Sequence, residues 1–253
     1  MADGRHDTYT LTAIKDPVNG EIANQKWKTG RMYLFFKRLF DIVVSIIVII
    51  ILSPLLIPII IGLKLTGEGY IFYYQKRIGY KNKYFNIIKF ATMLKNSPNI
   101  GTGLITLRND PRVTPMGGFL RKTKINELPQ VFNVLLGDMS LVGPRPLVDK
   151  TFMAYPEDKR NLIYNCKPGI TGIGSIVFRD EEDLMSRTTM PPHEFYEKQI
   201  APYKAELELW YQKHQSFLVD LGIMFLTIWV VIFPKSALMY KLFKDLPKRT
   251  INV

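Results

Sequence analysis

Residue types that can act on a phosphate group are concentrated between Arg121 and Pro146 of this 253-residue chain. Glu127 supplies a carboxylate, and Arg121 precedes it together with two lysines. Downstream, Arg145 stands between two prolines, which restrict the backbone and orient the guanidinium group for bidentate contact with a phosphate. Each piece alone is also typical of an amphipathic helix or an ordinary turn. Their concentration predicts a site that binds and transfers phosphate.

A short helix is predicted to position these groups. Asn126 has the residue type of an N-cap, and the residues after it give one apolar face at helical spacing: Leu128, Val131, Phe132, Leu135 and Leu136. Pro129 fits the first turn, and Gly137 fits the end. Glu127 would then lie at the positive end of the helix dipole, where a carboxyl group ionises readily.

The surrounding charge is strongly basic. Lys89 lies in the run IIKFATM, where apolar neighbours on both sides predict a cation that points inwards. From Gly69 to Val148 there are twelve lysines and arginines against three acids, and the net charge of the chain is +12. This balance suits a polyanionic ligand, and it equally suits a face that rests on anionic lipid headgroups.

An apolar segment of 22 uncharged residues runs from Ile42 to Leu63. A straight helix of this length could cross a hydrocarbon core of ~30 Å, so a single span is one interpretation. However, Pro54 and Pro58 each remove a helical hydrogen bond, and basic residues flank both ends. Positive flanks stay on the cytoplasmic side, so this pattern favours a re-entrant helix-break-helix.

The C-terminal part has two apolar patterns. Residues at spacings of four and three give a stripe that suits either a core or a headgroup interface: Tyr196, Ile200, Tyr203, Leu207, Trp210 and His214. Leu221 to Pro234 is uncharged but short for a span, which is typical of a helix lying in the interface, and basic residues follow it. A contact with anionic membrane lipids is therefore predicted.

The expected fold is mainly α with a small β component, which includes a hairpin between Tyr70 and Tyr84 around a turn at Gly79 to Asn82. We divide the chain into a polar arm (1–30), a re-entrant membrane helix (31–66), a cytosolic catalytic domain (67–193) and amphipathic interfacial helices with a basic tail (194–253). One cysteine and three scattered histidines exclude a disulfide framework and a zinc site built from them. No recognised motif indicates a nucleic-acid partner.

Two runs of sequence carry a family resemblance. RKTKINELPQ and NVLLGDMSLVGPRP resemble the signature of the bacterial sugar transferases, monotopic phosphoglycosyl transferases that move a sugar phosphate from a UDP-sugar to polyprenyl phosphate. Weaker similarity extends from Lys37 to about Thr227 and includes YQKRIG and KPGITG. The resemblance implies Mg²⁺ as cofactor, the cytoplasmic face of the bacterial inner membrane as location, and Ser53-Pro54 as the helix break.

The resemblance also implies roles for residues of the site. Lys89, Arg121, Arg145 and Pro146 would bind the phosphates and uridine of the substrate, and Glu127 would assist the metal. The family usually has an Asp-Glu pair whose Asp forms a covalent phosphosugar intermediate, but this chain has Asn126-Glu127. An amide cannot replace that nucleophile. Three interpretations stay open. The first is an active variant that uses Glu127, and the second is a non-enzymatic or inactivated, membrane-anchored family member that binds nucleotide-sugar or lipid. The third is a basic peripheral membrane or nucleic-acid-binding protein without chemistry.

Overall fold

The structure, a computed structural model, describes residues 30–66, 68–97 and 110–249, so residues 1–29 of the predicted arm lie outside it. Within these residues the chain is mainly helical with two small sheets, which confirms that part of the expected fold. The elements are α1 (Arg31–Leu65), β1 (Phe72–Ile78), β2 (Tyr84–Phe90), α2 (Pro115–Lys122), α3 (Gln130–Leu136), β3 (Ser140–Val142), α4 (Asp149–Met153), α5 (Glu157–Ile163), β4 (Gly169–Thr171), α6 (Ile173–Val177), α7 (Glu181–Arg187), α8 (Pro192–Phe195), α9 (Ala201–Lys213), α10 (Phe217–Ile232) and α11 (Leu238–Leu242).

The long helix α1 continues through Pro54 and Pro58. Pro54 has no N–H for the carbonyl of Ile50, but the hydroxyl of Ser53 donates to that oxygen at 2.8 Å. Among the described residues, α1 is the one helix long and apolar enough to cross a membrane. The helix therefore does not end at Ser53-Pro54, where a break was expected. The re-entrant path of the chain through the membrane stays a prediction.

Both ends of α1 contact the rest of the protein. Near the start, Lys37 forms an ion pair with Asp220 of α10 at 2.7 Å, and Arg38 donates to two carbonyl oxygens at the end of α3. Near the end, Leu56, Ile59 and Leu63 are buried in one cluster with Phe90 and Leu120. The residues between these contacts are largely exposed apolar side chains, among them Ile46, Ile47, Ile50 and Ile51.

The predicted hairpin is present, with β1 and β2 antiparallel and Tyr73 paired with Lys89. Lys81 and Asn82 at its turn have positive φ angles of 55° and 56°, as the tight turn requires. Because alternate residues of a strand share a face, Tyr73, Gln75 and Arg77 lie on the same side as Lys89. This side of the hairpin forms a wall of the candidate site.

The largest core cluster joins α6, α9 and α10, and so crosses the predicted boundary at residues 193 and 194. Ile200, Tyr203, Leu207 and Trp210 are all buried in it. The aromatic stripe is therefore core packing, and the expectation of an interfacial helix is wrong for α9. In contrast, α10 keeps an exposed apolar side that includes Leu218, Phe225 and Ile228.

Helix α2 depends on a close contact between Gly117 and the segment after β2. A Cβ at Gly117 would lie 2.1 Å from the carbonyl oxygen of Thr92, whereas the nearest atom to a Cβ at Gly118 is Cγ1 of Val113, at 3.9 Å. The backbone of α2 can approach Thr92 because residue 117 has no side chain.

We predict opposite effects for alanine at these two neighbouring glycines. Gly117→Ala forces α2 away from Thr92 and should lower the free energy of unfolding by about 1–3 kcal/mol. Gly118→Ala, the matched control, adds helix propensity without a clash and should raise it by about 0.5–1 kcal/mol. Thermal unfolding in detergent measures both; a Gly117→Ala protein as stable as Gly118→Ala would contradict the packing described here.

Candidate active site

Glu127 lies in a single 3-10 turn, Ile125–Glu127, rather than at the start of an α-helix. Helix α3 begins at Gln130, and Asn126 makes no capping hydrogen bond, so the predicted N-cap is wrong. Pro129 would be the third residue after an N-cap at Asn126, so it removes one of the two N–H groups that an N-cap side chain bonds. The turn instead follows Lys124, which has a left-handed φ of 60°.

The buried side of α3 also differs from the predicted apolar face. Gln130, Val131, Asn133 and Val134 are buried, while Leu136 is 71% exposed. Asn133 bonds the edge of β2: its Oδ1 accepts from the N–H of Ile88 at 2.9 Å, and its Nδ2 donates to a second β2 carbonyl. A buried amide on the core side cannot be recognised from apolar periodicity, which explains the error.

Glu127 is held between two cations from different segments. Its Oε1 lies 3.0 Å from Nζ of Lys89 on β2 and 3.9 Å from a guanidinium nitrogen of Arg145. Burial raises the pKa of Glu127, but Lys89 and Arg145 lower it further than burial raises it, so the net pKa is below the usual value. The predicted readiness of Glu127 to ionise is therefore confirmed, and these neighbouring cations are its cause.

Lys89 points inwards, as predicted. Its side chain is 15% exposed, and burial lowers its pKa although Glu127 acts in the opposite direction. Arg77 and Arg145 lower the pKa of Lys89 further, because like charges disfavour the protonated form. Three cations thus surround one carboxylate, and their mutual repulsion leaves the site with an attraction for additional negative charge.

The loop that carries Arg145 is clamped against β4. The N–H of Gly143 donates to the carbonyl of Thr171 at 2.9 Å, and the N–H of Gly169 donates to the carbonyl of Pro144 at 2.8 Å. A Cβ at Gly169 would lie 2.1 Å from the nitrogen of Gly143. The glycines of KPGITG let two stretches of backbone pack together.

Tyr164 fixes the same loop from the other side. Its hydroxyl donates to the carbonyl of Arg145 at 2.7 Å and accepts from the N–H of Leu147 at 2.9 Å, and the residue is completely buried. The prolines beside Arg145 restrict only their own torsion angles, so Tyr164 and β4 are needed to place the loop. Nothing in the sequence around Tyr164 indicates this role.

Arg77 is a site residue that the sequence analysis missed. It donates to the carbonyl of Pro146 at 3.2 Å and to Oε1 of Gln75 at 2.7 Å, while its buried Nε has no hydrogen-bond partner. Burial lowers its pKa, and Arg145 lowers it further. Its alternation with Tyr73 and Gln75 was the available signal, because β1 pairs with the strand that carries Lys89.

Glu127, Lys89 and Arg77 line a cleft of about 320 Å³. The structure brings the predicted residues Lys89, Arg121, Asn126 and Glu127 together there, and adds other residues that include Tyr70, Tyr73, Gln75, Arg77, Thr92, Lys95 and Lys124. Arg145 and Pro146 instead line an adjacent notch that shares Lys89 and Arg77 with the cleft. Ser53 and Pro54 lie in α1 and line neither cavity.

The oxygen atoms available for Mg²⁺ are few. No group of three or more His, Cys, Asp or Glu that could hold a metal occurs among the described residues. The cleft has one carboxylate among its described lining residues, Glu127, and next to it Oδ1 of Asn126 is buried without a hydrogen-bond partner. Mg²⁺ commonly takes one or two protein oxygens and completes its shell with water and substrate phosphates. Glu127 and Asn126 match that number of protein ligands.

The clamp on the Arg145 loop gives a stability prediction. Tyr164→Phe removes the hydroxyl and leaves the buried carbonyl of Arg145 and N–H of Leu147 without their partner, so the free energy of unfolding should fall by about 1–3 kcal/mol. Tyr80→Phe is the matched control, because that ring is 42% exposed and its hydroxyl has no hydrogen bond among the described residues. Equal denaturation midpoints for the two variants would disprove the clamp.

Comparison with known proteins places the chain in a family. The sequence model described as bacterial sugar transferase matches residues 32–234. Over 213 residues the chain is 37% identical to an undecaprenyl-phosphate galactose phosphotransferase of Salmonella typhimurium, covering 78% of the chain and 40% of that relative. It is 38% identical over 213 residues to a UDP-glucose:undecaprenyl-phosphate glucose-1-phosphate transferase of Klebsiella pneumoniae, covering 81% and 42%.

A shorter relative matches over most of both chains. The exopolysaccharide production protein ExoY of Sinorhizobium fredii is 31% identical over 215 residues, which cover 79% of this chain and 87% of that protein. The chain spans about two fifths of the length of the Salmonella and Klebsiella relatives. Because the family match covers most of its residues, the chain belongs to the bacterial sugar transferase family.

Proposed function

We propose that the protein transfers a sugar phosphate from a UDP-sugar to polyprenyl phosphate and releases UMP, at the start of bacterial surface glycan assembly. The observation that carries the proposal is the position of the Glu127 carboxylate, 3.0 Å from Lys89 inside a cationic cleft whose charges lower its pKa. The names of the relatives from Salmonella and Klebsiella describe sugar transfer to undecaprenyl phosphate, which supports the same substrate class here.

The lining of the cleft suits a nucleotide diphosphate. Arg77, Lys89 and Arg121 offer cationic donors for the two phosphates, and guanidinium groups match phosphate oxygens in pairs. Tyr70 and Tyr73 lie on the same lining and offer aromatic faces to a base. The cations also disperse the negative charge that develops as the phosphoryl group moves, which lowers the barrier to transfer.

In the proposed reaction an oxygen of the Glu127 carboxylate attacks the β-phosphorus of the UDP-sugar. The bond from that phosphorus to the bridging oxygen breaks, and UMP leaves with the electron pair. An oxygen of the polyprenyl phosphate then attacks the same phosphorus, and the carboxylate leaves with the electron pair of its own bond. Atoms and charge balance across both steps, and the covalent intermediate divides one difficult transfer into two easier ones.

Asn126 and Glu127 are proposed to hold Mg²⁺ together with substrate phosphates. The ion would neutralise the charge of the diphosphate when bound. Asn126 would supply a neutral amide oxygen to the ion. A carboxylate at this position would add a second negative charge. Its role in this proposal is to bind and orient, and not to attack phosphorus.

A monotopic arrangement at the cytoplasmic face of the inner membrane is proposed for the whole chain. The contacts of both ends of α1 with one folded body, and the exposed apolar residues between them, support a helix that enters and leaves the same membrane leaflet. The exposed apolar side of α10 would lie in the interface, and the basic residues after it would contact anionic lipids. A lipid phosphate and a soluble nucleotide could then meet at one surface.

A second candidate function is binding without chemistry, and Asn126 is the observation that favours it. An amide at the position of the usual attacking carboxylate leaves a protein that could hold nucleotide-sugar or lipid at the membrane without turnover.

The central test is the intact mass of the purified protein after incubation with Mg²⁺ and a panel of UDP-sugars. We expect a phosphosugar adduct on the unmodified chain with release of an equal amount of UMP, and continued UMP release once polyprenyl phosphate is added. Glu127→Gln should abolish both, since an amide does not attack phosphorus.

Asn126→Asp distinguishes the two candidate functions. An adduct and UMP release that occur only in this variant would support the binding protein for the native chain. Absence of both from the native chain and from Asn126→Asp would defeat the proposed transfer. Gln199→Met, at an exposed position that lines neither cavity, is the control and should behave as the native chain does.

The membrane arrangement is tested by labelling. Cysteines introduced at the exposed positions Arg31 and Lys83, on either side of the apolar segment, should both react with a membrane-impermeant maleimide from the cytoplasmic side only. Burial raises the pKa of Cys166 to about 12, so the native chain should give little background. Labelling of either position from the periplasmic side would show that α1 spans the membrane.

A further inference from the structure

The notch beside the cleft has its own lining. Gln130, Arg145, Pro146 and Ile170 line it together with Lys89 and Arg77, while Asn126 and Glu127 line only the cleft. Its volume is about 10 Å³, which admits a single oxygen atom of a water molecule or of a phosphate group. Lys89 and Arg77 therefore line both the notch and the cleft that suits the nucleotide.

Gln130 is a buried polar residue in this notch. It is 6% exposed, and no described residue forms a hydrogen bond with its side-chain amide. Asn133, one turn later on α3, is 1% exposed, but both of its amide atoms bond β2. The amide atoms of Gln130 are not among the fully buried side-chain atoms that lack a partner, so they are accessible from the notch that the residue lines. This comparison points to a ligand as the partner of Gln130.

The charge at the notch favours an anion. Arg77, Lys89 and Arg145 meet there, and Glu127 is the carboxylate that faces them, at 3.0 Å from Lys89 and 3.9 Å from Arg145. Three positive groups against one negative group attract a further anion. The side chain of Arg145 is 53% exposed, so its guanidinium can contact a group that arrives from solvent or membrane.

The rim of the notch is apolar. Ile170 on β4 is 40% exposed, and the buried ring of Pro146 lies beside it. A phosphate monoester of a lipid has the matching chemistry, because its terminal oxygens are anionic and its ester oxygen leads to a hydrocarbon chain. A nucleotide phosphate leads to a ribose, which would gain nothing from Ile170.

We propose that Gln130 and Arg145 form an acceptor subsite for the phosphate of the lipid substrate, with one phosphate oxygen in the notch and the first isoprene unit against Ile170. This assignment rests on the proposed function for the identity of the lipid. Lys89 and Arg77 then lie between the two phosphate positions and contact both. The amide of Gln130 donates to the acceptor phosphate, and the nucleotide occupies the cleft alone.

Steady-state kinetics of UMP release test the subsite. Gln130→Met, similar in size and unable to donate, should raise the KM for polyprenyl phosphate about tenfold or more, the effect of losing one hydrogen bond to a charged group. The KM for the UDP-sugar should not change. Gln199→Met, at an exposed position that lines neither cavity, is the matched control and should leave both constants unchanged.

Ile170→Glu provides a second, independent variant at the exposed rim, where a new carboxylate should repel the acceptor phosphate and raise the same KM. An increase in the KM for the UDP-sugar would show that the notch belongs to the nucleotide site. Unchanged constants in both variants would show that it holds water only. Either result overturns the proposal.

Binding without turnover separates this proposal from the proposed function. Equilibrium dialysis in detergent should show that farnesyl phosphate binds the native chain more tightly than farnesol does, and that Gln130→Met reduces this difference about tenfold, because the three cations of the notch remain. That result in a protein that never releases UMP would support the subsite and reject the transfer reaction. Equal binding of the two lipids to the native chain would reject the subsite.

Discussion

The site depends on one electrostatic constraint, the pairing of Glu127 with Lys89 and Arg145. Burying a carboxylate costs free energy unless opposite charges accompany it, and burying the cations costs free energy in the same way. The three groups come from a 3-10 turn, a hairpin strand and a loop, so the charges are compensated only when these segments meet. The resulting excess of positive charge makes the site attract phosphate.

The scaffold consists largely of contacts that remove freedom from these segments. Gly143 and Gly169 let the Arg145 loop and β4 approach closely enough for paired backbone hydrogen bonds, and Tyr164 bonds the loop from the opposite side. Asn133 ties α3 to the strand that carries Lys89. Each link is a hydrogen bond made by a buried residue, and such bonds are costly to leave unmade. These bonds therefore hold the backbone at Arg145 in place, although the side chain of Arg145 is exposed.

The apolar helix α1 is bonded to this scaffold. Arg38 donates to the carbonyls of Val134 and Leu135, which lack helical partners at the end of α3. The same short helix begins three residues after Glu127, so the position of the apolar helix and the position of the carboxylate are mechanically linked. The hydroxyl of Ser53 keeps α1 helical beside Pro54 by bonding the carbonyl that the proline leaves free.

The sequence alone led to the chemistry proposed for the site and to several of the residues that the structure brings together there. Glu127, Lys89, Arg121 and Arg145 could be identified because their types, spacing and family signature are local properties of the chain. The hairpin and the mainly helical fold were predictable for the same reason, since both follow from short-range periodicity and turn residues.

Only the tertiary structure decided which other groups join the site and how. Gln130 and Tyr164 matter because distant segments pack against them, and no local pattern distinguishes them from ordinary helix residues. The strand alternation of Arg77 points to the site only once β1 is known to pair with the strand that carries Lys89. The aromatic stripe of α9 could suit a core or a membrane, and its burial against α6 and α10 assigned it to the core. The start of α3 was misjudged at Asn126 because the prediction rested on residue type, while Pro129 removes one of the two N–H groups that such a cap bonds and α3 begins only at Gln130.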